Sequence, residues 1–264
     1  MFAEERRQYI QIALRKNRRV DVAMLAAEME MSLETIRRDL RELEADGLLK
    51  RTHGGAILAP APDQEMEQPL LQRKSVNHDK KFRIAGRAAS FVRDKDVVAI
   101  DNSSTAALLL HHIPRQYNIT IVTNSISLVV DILSLADCNW TCVALGGVAR
   151  AISNSTFGSP ALTTLANFRP HKLFASCAGV DGSGTLTEGN LDDAEMKRAL
   201  LRCSQVKFLL ADDAKFGRLS AVNSAGINDF DYLVTNSTAD PNRLGFLQDS
   251  RVRLLYDTDD PEEG

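Results

Sequence analysis

Apolar residues recur with the spacing of amphipathic helices over the first sixty residues of the chain. An α-helix brings positions i, i+3, i+4 and i+7 to one face, so such a stripe marks the side that packs into a core. We predict three helices, the first over residues 4–17 and the others opening at the N-cap residues Asp21 and Ser32. Their apolar stripes are Ile10, Ala13 and Leu14; Val22, Leu25, Ala26 and Met29; and Leu33, Ile36, Leu40 and Leu43.

The third helix carries a basic face opposite its apolar stripe. At about 100° per residue, Arg38 lies almost diametrically opposite the stripe. Thr35 and Arg41 lie on either side of Arg38, and Arg37 lies nearer the flank. A helix, a turn of three to four residues and a second helix with this outer face form the helix-turn-helix layout, in which the second helix enters the major groove of DNA. The arginine fork suits that place because it pairs with guanine O6 and N7 or with phosphate.

A basic segment with two adjacent glycines follows the third helix. The stretch GLLKRTHGGAILAP, residues 47–60, alternates well enough to form two short strands around a glycine turn. Glycines at the turn permit positive φ and close backbone approach. We interpret the hairpin as a wing that meets phosphates or the minor groove through Lys50, Arg51 and His53.

The charged face of the third helix also has a plainer interpretation. A charged helix face is usually solvated, and two adjacent arginines prove little by themselves. Glu34, Asp39 and Glu42 are placed where they pair with arginines of the same helix. The helix order, the caps and the adjoining basic hairpin favour DNA binding over that alternative.

The hydrophobic pattern changes after a proline-rich stretch, APAPDQEMEQP, which we interpret as part of a linker over residues 59–78. Short, nearly continuous apolar runs then alternate with helical segments. Such runs between helices predict an α/β domain with a mostly parallel sheet covered on both faces, here over residues 79–257. The predicted strands are DVVAID (96–101), ITIVTN (119–124), WTCVALGG (140–147), KLFASCAG (172–179), VKFLLAD (206–212), YLVTN (232–236) and VRLLY (252–256).

Polar residues follow several of these predicted strands. The segment DNSST, residues 101–105, joins a strand to a predicted helix, where backbone N–H groups and the helix dipole favour an anion. Ligands of open α/β sheets bind at the carboxyl ends of the strands. Lys215, just beyond another strand, is placed to meet a phosphate, although an ordinary surface lysine is the alternative.

Composition restricts the class of protein further. The chain has 264 residues, 44% of them hydrophobic, and a net charge of -3, so affinity for nucleic acid must come from a local arrangement. It begins without the apolar stretch of a signal peptide, and no apolar run is long enough to span a bilayer. Four cysteines without CxxC spacing predict unpaired core thiols of a cytoplasmic protein and no zinc site.

The stretch SLETIRRDLRELEADGLLKRTHGGA, residues 32–56, closely resembles the signature of the DeoR family of bacterial transcription regulators. The resemblance runs almost without gaps over residues 5–57. It implies a winged helix-turn-helix domain, here residues 1–58, that binds operator DNA. The implied DNA-contacting residues, with their immediate neighbours on the helix, are Ser32, Thr35, Arg37, Arg38, Arg41, Arg51, His53 and Gly54.

Residues 73–235 resemble the sensor domain of the same family, whose fold is shared with ribose-5-phosphate isomerase, glucosamine-6-phosphate deaminase and CoA transferases. The family's D-x-G-T-T loop, T-N, G-G and D-x-S-K-F-G correspond here to DNSST, TNS, GG and DDAKFG. The resemblance implies a phosphorylated sugar as the effector. The candidate effector-binding residues are Asp101, Asn102, Ser103, Ser104, Thr105, Asn124, Gly147, Asp181, Glu188 and Lys215.

We therefore expect a DNA-binding repressor of a carbohydrate operon, without a cofactor or a metal, acting as a homodimer or homotetramer. The main alternative is a phosphosugar isomerase or deaminase with an N-terminal helical extension. In that case Asp101, Asp181 or Glu188 is the candidate base. A second alternative is a module whose N-terminal helices bind a protein partner.

Overall fold

The chain divides into two compact units, Met1–Met66 and Glu67–Gly264. The computed structural model describes residues 6–7, 9–10, 12–14, 19–29, 31–45, 49–52, 54–58 and 68–259. The four cysteines form no disulfide, as predicted; Cys177 is buried and the other three are partly buried.

The first unit combines helices with a small antiparallel sheet. Residues 6–7, 9–10 and 12–14 are helical, within the predicted first helix. The elements that follow are β1 (Arg19–Asp21), α1 (Val22–Glu28), α2 (Leu33–Ala45), β2 (Leu49–Arg51) and β3 (Gly55–Leu58). β2 and β3 form the predicted hairpin, and β1 pairs with the other edge of β3 to give the order β1-β3-β2. The sequence does not predict β1, because three residues are too few to show a period.

The predicted stripes form the core of this unit with one exception. Leu25, Ile36 and Leu40 are almost completely buried, as are the other members of the second stripe and Leu43. Leu33, predicted to be buried, is 46% exposed. Side chains tilt toward the N-terminus of a helix, so the first residue of α2 projects past the end of the helix and away from the core.

Gly55 is required by the approach of β1. A Cβ at Gly55 would lie 1.9 Å from the carbonyl oxygen of Val20, a distance that backbone atoms cannot accommodate. Of the two properties that glycine permits, the wing uses close backbone approach, since neither Gly54 nor Gly55 has a positive φ. Gly54 instead accepts a hydrogen bond from the backbone N–H of Val22 at 2.9 Å, which joins the wing to the start of α1.

The second unit is built around a parallel sheet of seven strands. Its strands are β4 (Val97–Ile100), β5 (Thr120–Thr123), β6 (Thr141–Ala144), β9 (Lys172–Ala175), β12 (Val206–Leu210), β14 (Tyr232–Thr235) and β15 (Arg253–Tyr256). Their order in the sheet is β15-β14-β12-β9-β4-β5-β6, and every neighbouring pair is parallel. All seven predicted runs are confirmed as strands, although some predictions extend into the loops that follow.

Both faces of the sheet are covered. Ala99 belongs to one buried apolar cluster, whereas its neighbours Val98 and Ile100 belong to the other. The second unit's helices are α3 (Leu70–Ser75), α4 (His78–Ala89), α5 (Ile126–Leu133), α6 (Ser159–Leu165) and α7 (Leu191–Cys203), with 3₁₀ helices at Ala106–His111, Asp213–Lys215, Ile227–Asp229 and Pro241–Leu247.

Five short strands of this unit lie outside the parallel sheet. β7 (Val148–Arg150) and β8 (Ser155–Phe157) form a hairpin, and β10 (Gly179–Val180), β11 (Thr185–Glu188) and β13 (Val222–Gly226) form a separate antiparallel sheet. The sequence did not predict these strands, because they are short and polar.

The linker prediction over residues 59–78 is wrong for the residues of α3. Leu70 is buried, and its backbone N–H donates to the carbonyl of Ile152 at 3.0 Å. Residues 59–67 lie outside the described part of the chain.

Candidate functional site

The N-terminus of α2 is capped as predicted. Ser32 Oγ accepts a hydrogen bond from the backbone N–H of Thr35 at 3.1 Å, and the two hydroxyl groups lie 2.8 Å apart. Ser32 is exposed and Thr35 is half-buried. The cap therefore fixes the first turn of the helix and leaves both hydroxyl groups at its surface.

The arginines on the outer face of α2 differ in their contacts. Glu34 Oε1 lies 2.6 Å from Arg41 Nη2, and Glu34 Oε2 lies 3.8 Å from Arg37 Nη1. Arg38 is exposed and forms no hydrogen bond or ion pair with any residue that the structure describes. The predicted direction of Arg38, away from the core, agrees with this exposure. Among the described arginines of this face, Arg38 is therefore the one without an acidic partner, and its donors are available to a ligand.

The inner edge of α2 is held by a buried ion pair. Arg6 Nε lies 2.8 Å from Asp39 Oδ2, and the two side chains are 7% and 1% exposed. The Asp39 carboxylate, as hydrogen-bond acceptor, raises the pKa of Arg6 against the opposing effect of burial. Arg7 pairs with Glu42 at 2.6 Å, so Asp39 and Glu42 bind the first helical segment rather than arginines of their own helix. The helical projection of the sequence already indicates that Asp39 is partly buried, because Asp39 lies about 60° from Ile36, at the border of the apolar stripe.

The wing presents less free charge than the sequence suggests. Arg51 Nε lies 2.6 Å from Glu44 Oε2, and the Arg51 backbone N–H donates to Glu44 Oε1 at 2.9 Å. Gly54 is exposed in the segment between β2 and β3. His53 and the side chain of Lys50 lie outside the described residues, so their predicted roles stay predictions.

In the second unit, a buried lysine joins two of the predicted effector-binding carboxylates. Lys197 Nζ lies 2.6 Å from Asp101 Oδ2 and 3.3 Å from Glu188 Oε1, and it also donates to the carbonyl of Ser176. Asp101 further accepts hydrogen bonds at 3.0 Å from the backbone N–H groups of Ser103 and Ser176. All three charged side chains therefore meet at the carboxyl edge of the parallel sheet.

The environment shifts the proton equilibria of this cluster. Burial raises the pKa of Glu188 to about 7 against the opposing charge of Lys197. Burial alone would lower the pKa of Lys197, but the neighbouring carboxylates of Asp101 and Glu188 hold it well above its usual value. Sequence reasoning missed Lys197, although it lies on the buried face of α7 between Ala194 and Leu201.

The loop over residues 101–105 is ordered by its own polar groups. Ser103 Oγ accepts from the backbone N–H of Ala106 at 3.1 Å, and Asn102 Nδ2 donates to Ser155 Oγ and Asp193 Oδ1 at 3.2 Å. The prediction that an α-helix follows the loop is wrong, because residues Ala106–His111 form a 3₁₀ helix. A 3₁₀ helix of six residues has only a small dipole to attract an anion. Ser104 and Thr105 are buried, and their backbone N–H groups donate to no described residue.

Cationic side chains lie on the other side of the loop. Lys81 is 3% exposed, and its Nζ donates to the Arg73 carbonyl at 2.6 Å and to Ser104 Oγ at 3.3 Å. Burial lowers the pKa of Lys81 to about 8, Asp212 opposes that shift, and the charges of Lys215 and Arg73 add to it. Lys81 was not predicted, although it continues the buried stripe of α4 formed by its alanines and isoleucine.

Three other predicted effector-binding residues are engaged elsewhere. Asn124 Nδ2 donates to the carbonyl of Thr156 at 3.1 Å, and its buried Oδ1 has no partner. Gly147, at φ 117°, packs against Phe157, whose carbonyl oxygen would lie 2.3 Å from an added Cβ. Asp181 Oδ1 accepts from the backbone N–H groups of the turn between β10 and β11. Gly147 and Asp181 thus have structural contacts, and no hydrogen bond joins either one to the loop over residues 101–105.

Two family models together cover most of the chain. The DeoR-like helix-turn-helix domain matches residues 6–60, and the DeoR C-terminal sensor domain matches residues 76–237. The chain belongs to the DeoR family of transcriptional regulators. This confirms the family predicted from the recognition helix and from the sensor-domain motifs.

Curated relatives match over nearly their full length. The glycerol-3-phosphate regulon repressor of Escherichia coli is 28% identical over 89% of this chain and 91% of its own. The L-fucose operon activator of Haemophilus influenzae is 30% identical over 90% and 93%, and the lactose phosphotransferase system repressor of Lactococcus lactis is 32% identical over 85% and 88%.

Solved structures resemble the chain more remotely. Ribose 5-phosphate isomerase A from Methanocaldococcus jannaschii gives a TM-score of 0.39 at 16% identity, over 53% of this chain and 54% of that chain. The delta subunit of eIF2B from Chaetomium thermophilum gives 0.43 at 15% identity, over 62% and 57%. These structural similarities are too distant to support an assignment, so the assignment to the DeoR family rests on the two family models.

Within the described residues, no helix combines the length and apolarity that a membrane crossing needs. The same part of the chain holds no cluster of three or more histidine, cysteine or acidic side chains arranged to bind a metal ion.

Proposed function

We propose that this DeoR-family protein represses a carbohydrate-utilisation operon and that a phosphorylated sugar sets its affinity for operator DNA. The relatives whose names state a regulon control glycerol-3-phosphate, fucose or lactose phosphotransferase genes, which supports a carbohydrate operon. A single winged unit has a small footprint on DNA, and operator half-sites favour symmetric pairing, so the protein acts in the cytoplasm as a homodimer or homotetramer.

The free guanidinium group of Arg38 carries the DNA-binding part of the proposal. Its neighbours Arg37 and Arg41 share the carboxylate of Glu34, whereas Arg38 is exposed and uncommitted on the outer face of α2. An arginine in this place of a recognition helix pairs with guanine in the major groove. Thr35 on the same helix and the wing residues Arg51 and Gly54 contact the DNA backbone in this proposal.

The polar edge of the parallel sheet supports effector binding. The loop over residues 101–105 lies between the Asp101–Lys197–Glu188 cluster and the cationic residues around Lys81. Glu188 Oε1 is buried with Lys197 Nζ at 3.3 Å as its charged neighbour, and a carboxylate oxygen in this place can also accept from a sugar hydroxyl group. Of the three candidate bases, Asp101 and Glu188 already contact Lys197, and Asp181 accepts from the backbone of its own turn. These contacts favour holding a ligand over abstracting a proton.

The Arg38→Ala change tests DNA reading. The operator is first selected by the wild-type protein from a random duplex library, and affinities are then measured by gel shift at fixed salt. Loss of one bidentate base contact costs about 1–3 kcal/mol, which is roughly fivefold to more than a hundredfold in affinity, and relaxes the preference at one base pair.

The matched control is Arg115→Ala, which removes one exposed positive charge from the second unit. We expect this variant to bind the operator like the wild type. Equal binding by Arg38→Ala and Arg115→Ala would contradict the proposed role of Arg38.

A further inference from the structure

A surface pocket lies at the amino edge of the parallel sheet, the edge opposite to the loop over residues 101–105. It is formed by the end of α6, the segment that leads from α6 into β9, and the last turn of α7, which precedes β12. The volume of the pocket is about 260 Å³. An apolar cavity of about 150 Å³ is already large enough for benzene, so this pocket can hold a small organic ligand.

The floor of the pocket is apolar. Leu165 is buried, and Leu162 and Phe168 are partly buried against the apolar core on that face of the sheet. Ala199 and Cys203 contribute the facing surface of α7, since residues four apart lie on one face of a helix. A ligand with an apolar chain or ring would remove the exposed parts of these side chains from water.

Two arginines give the mouth of the pocket a positive charge. Among the described residues that line the pocket, the charged ones are Arg169 and Arg202. Both are exposed, and neither forms a hydrogen bond or an ion pair with the part of the chain that the structure describes. Burial raises the pKa of Cys203, and the hydrogen bond with Ser204 and the charges of both arginines oppose that shift. The two guanidinium groups therefore lie within electrostatic reach of one atom, Cys203 Sγ.

The ends of two helices reduce this positive charge without cancelling it. α6 and α7 both end at the pocket, and the carboxyl end of a helix carries up to roughly half a negative charge. Two guanidinium groups and two such helix ends leave an excess of roughly one positive charge. A single carboxylate group balances that excess, and the planar guanidinium fork pairs with a carboxylate through two parallel hydrogen bonds.

We infer that this pocket binds a monocarboxylate with an apolar chain or ring, whose carboxylate group pairs with Arg169 and Arg202. The pocket is separate from the predicted effector site. Lys197, which belongs to the carboxylate cluster of that site, lies six residues before Cys203 on α7, and six residues span about 9 Å along a helix. The ligand also differs in chemical class from a phosphorylated sugar, so the inference does not rest on the proposed function.

Octanoate is the probe that tests this pocket, because it joins one carboxylate group to an apolar chain. The first measurement is the rate at which iodoacetamide alkylates Cys203 in the full chain, quantified by mass spectrometry of its peptide. Cys142 on β6 is the internal reference, since it is also partly buried and does not line the pocket. Octanoate should slow the alkylation of Cys203 in a saturable manner and leave that of Cys142 unchanged.

Thermal unfolding followed by the fluorescence of Trp140 gives the octanoate affinity independently, because a ligand that binds only the folded state raises the melting temperature. Acetate lacks the apolar chain and 1-octanol lacks the charge, so each should bind more weakly than octanoate by about tenfold or more. Arg169→Gln and Arg202→Gln should each weaken octanoate binding by about tenfold, through the loss of a charge-assisted hydrogen bond. Arg115→Gln is the matched control, since Arg115 is exposed and does not line the pocket, and it should bind octanoate like the wild type.

Saturable protection of Cys203 that both arginine variants weaken would support the inference. No protection of Cys203, or equal octanoate affinity in the wild type and both arginine variants, would overturn it. Alkylation of Cys203 that rises on dilution of the protein without octanoate would mean that a second copy of the chain covers the pocket, and this would overturn it as well. None of these measurements uses DNA, so failure of the operator experiments with Arg38→Ala would count against the proposed function alone.

Discussion

The Asp39→Asn change should destabilise the DNA-binding unit although it lies next to the DNA-reading residue Arg38. Asp39 is buried and pairs with Arg6, so the substitution keeps the shape of the side chain and leaves a positive charge in the core. Breaking a buried pair costs about 3–5 kcal/mol, and we expect about 3 kcal/mol because the unit is small and water is near.

That loss is large for a unit of this size. At roughly 0.05–0.15 kcal/mol per residue, the Met1–Met66 unit has about 3–10 kcal/mol of stability in total. The assay is urea unfolding followed by far-ultraviolet circular dichroism, which reports both units, and by Trp140 fluorescence, which reports only the second unit. Asp39→Asn should shift the helical signal to lower urea and leave the tryptophan transition in place.

Two comparisons make the cause specific. Glu42→Gln breaks the exposed pair with Arg7 and should cost about 0.5 kcal/mol or less. The double change Arg6→Met with Asp39→Leu replaces the buried pair by apolar groups and should recover stability to within about 1 kcal/mol of the wild type. Unchanged unfolding of Asp39→Asn, or no recovery in the double variant, would show that the buried Arg6–Asp39 pair does not stabilise this unit as stated.

Two further changes test the wing and the sensor cluster. Gly55→Ala places a Cβ against the Val20 carbonyl and should cost about 3 kcal/mol of the first unit's stability in urea unfolding, whereas Gly54→Ala, whose Cβ would be 3.7 Å from the nearest atom, should be nearly neutral. Because the pKa of Glu188 is raised to about 7, the folded protein keeps the Glu188 proton at pH values where the unfolded chain, with a pKa of 4.5, has released it. The free energy of unfolding should therefore fall by up to about 3 kcal/mol as the pH rises from 4.5 toward 7. Glu188→Gln should remove this decline from a series of Trp140 unfolding curves between pH 4.5 and 8, and an unchanged decline would show that another group causes it.

The apolar pattern was sufficient to predict the seven parallel strands. Strands such as Val97–Ile100 and Val206–Leu210 are buried on both faces, so their sequences are continuous apolar runs that differ from helical stripes. The strands of the antiparallel sheet, TLTE and VNSAG, lack such a run and are held by pairing with distant residues. Local pattern alone does not reveal that pairing.

The sequence predicted only some residues of the candidate sites, and the missed residues share one physical cause. Lys81, Lys197 and Asp39 are charged side chains on buried helix faces, and charged residues are seldom fully buried unless paired. Their ion-pair partners lie on other elements, as Arg6 does for Asp39. The sequence therefore shows that each charged residue lies on a buried helix face but does not show the partner that stabilises it there. Gly147 and Asp181 have structural contacts at their strand ends, and their place in the effector site stays a prediction.

Control of operator affinity by a phosphorylated sugar is tested by one linked measurement. Affinity of the wild-type protein for its selected operator is measured by fluorescence anisotropy with a panel of sugar phosphates and with the same sugars lacking phosphate. We predict that one sugar phosphate changes the operator affinity by about fivefold to 150-fold and that the operator changes the affinity for that sugar phosphate by the same factor. An operator affinity that no sugar phosphate alters, or that the unphosphorylated sugars alter equally, would rule out control by a phosphorylated sugar.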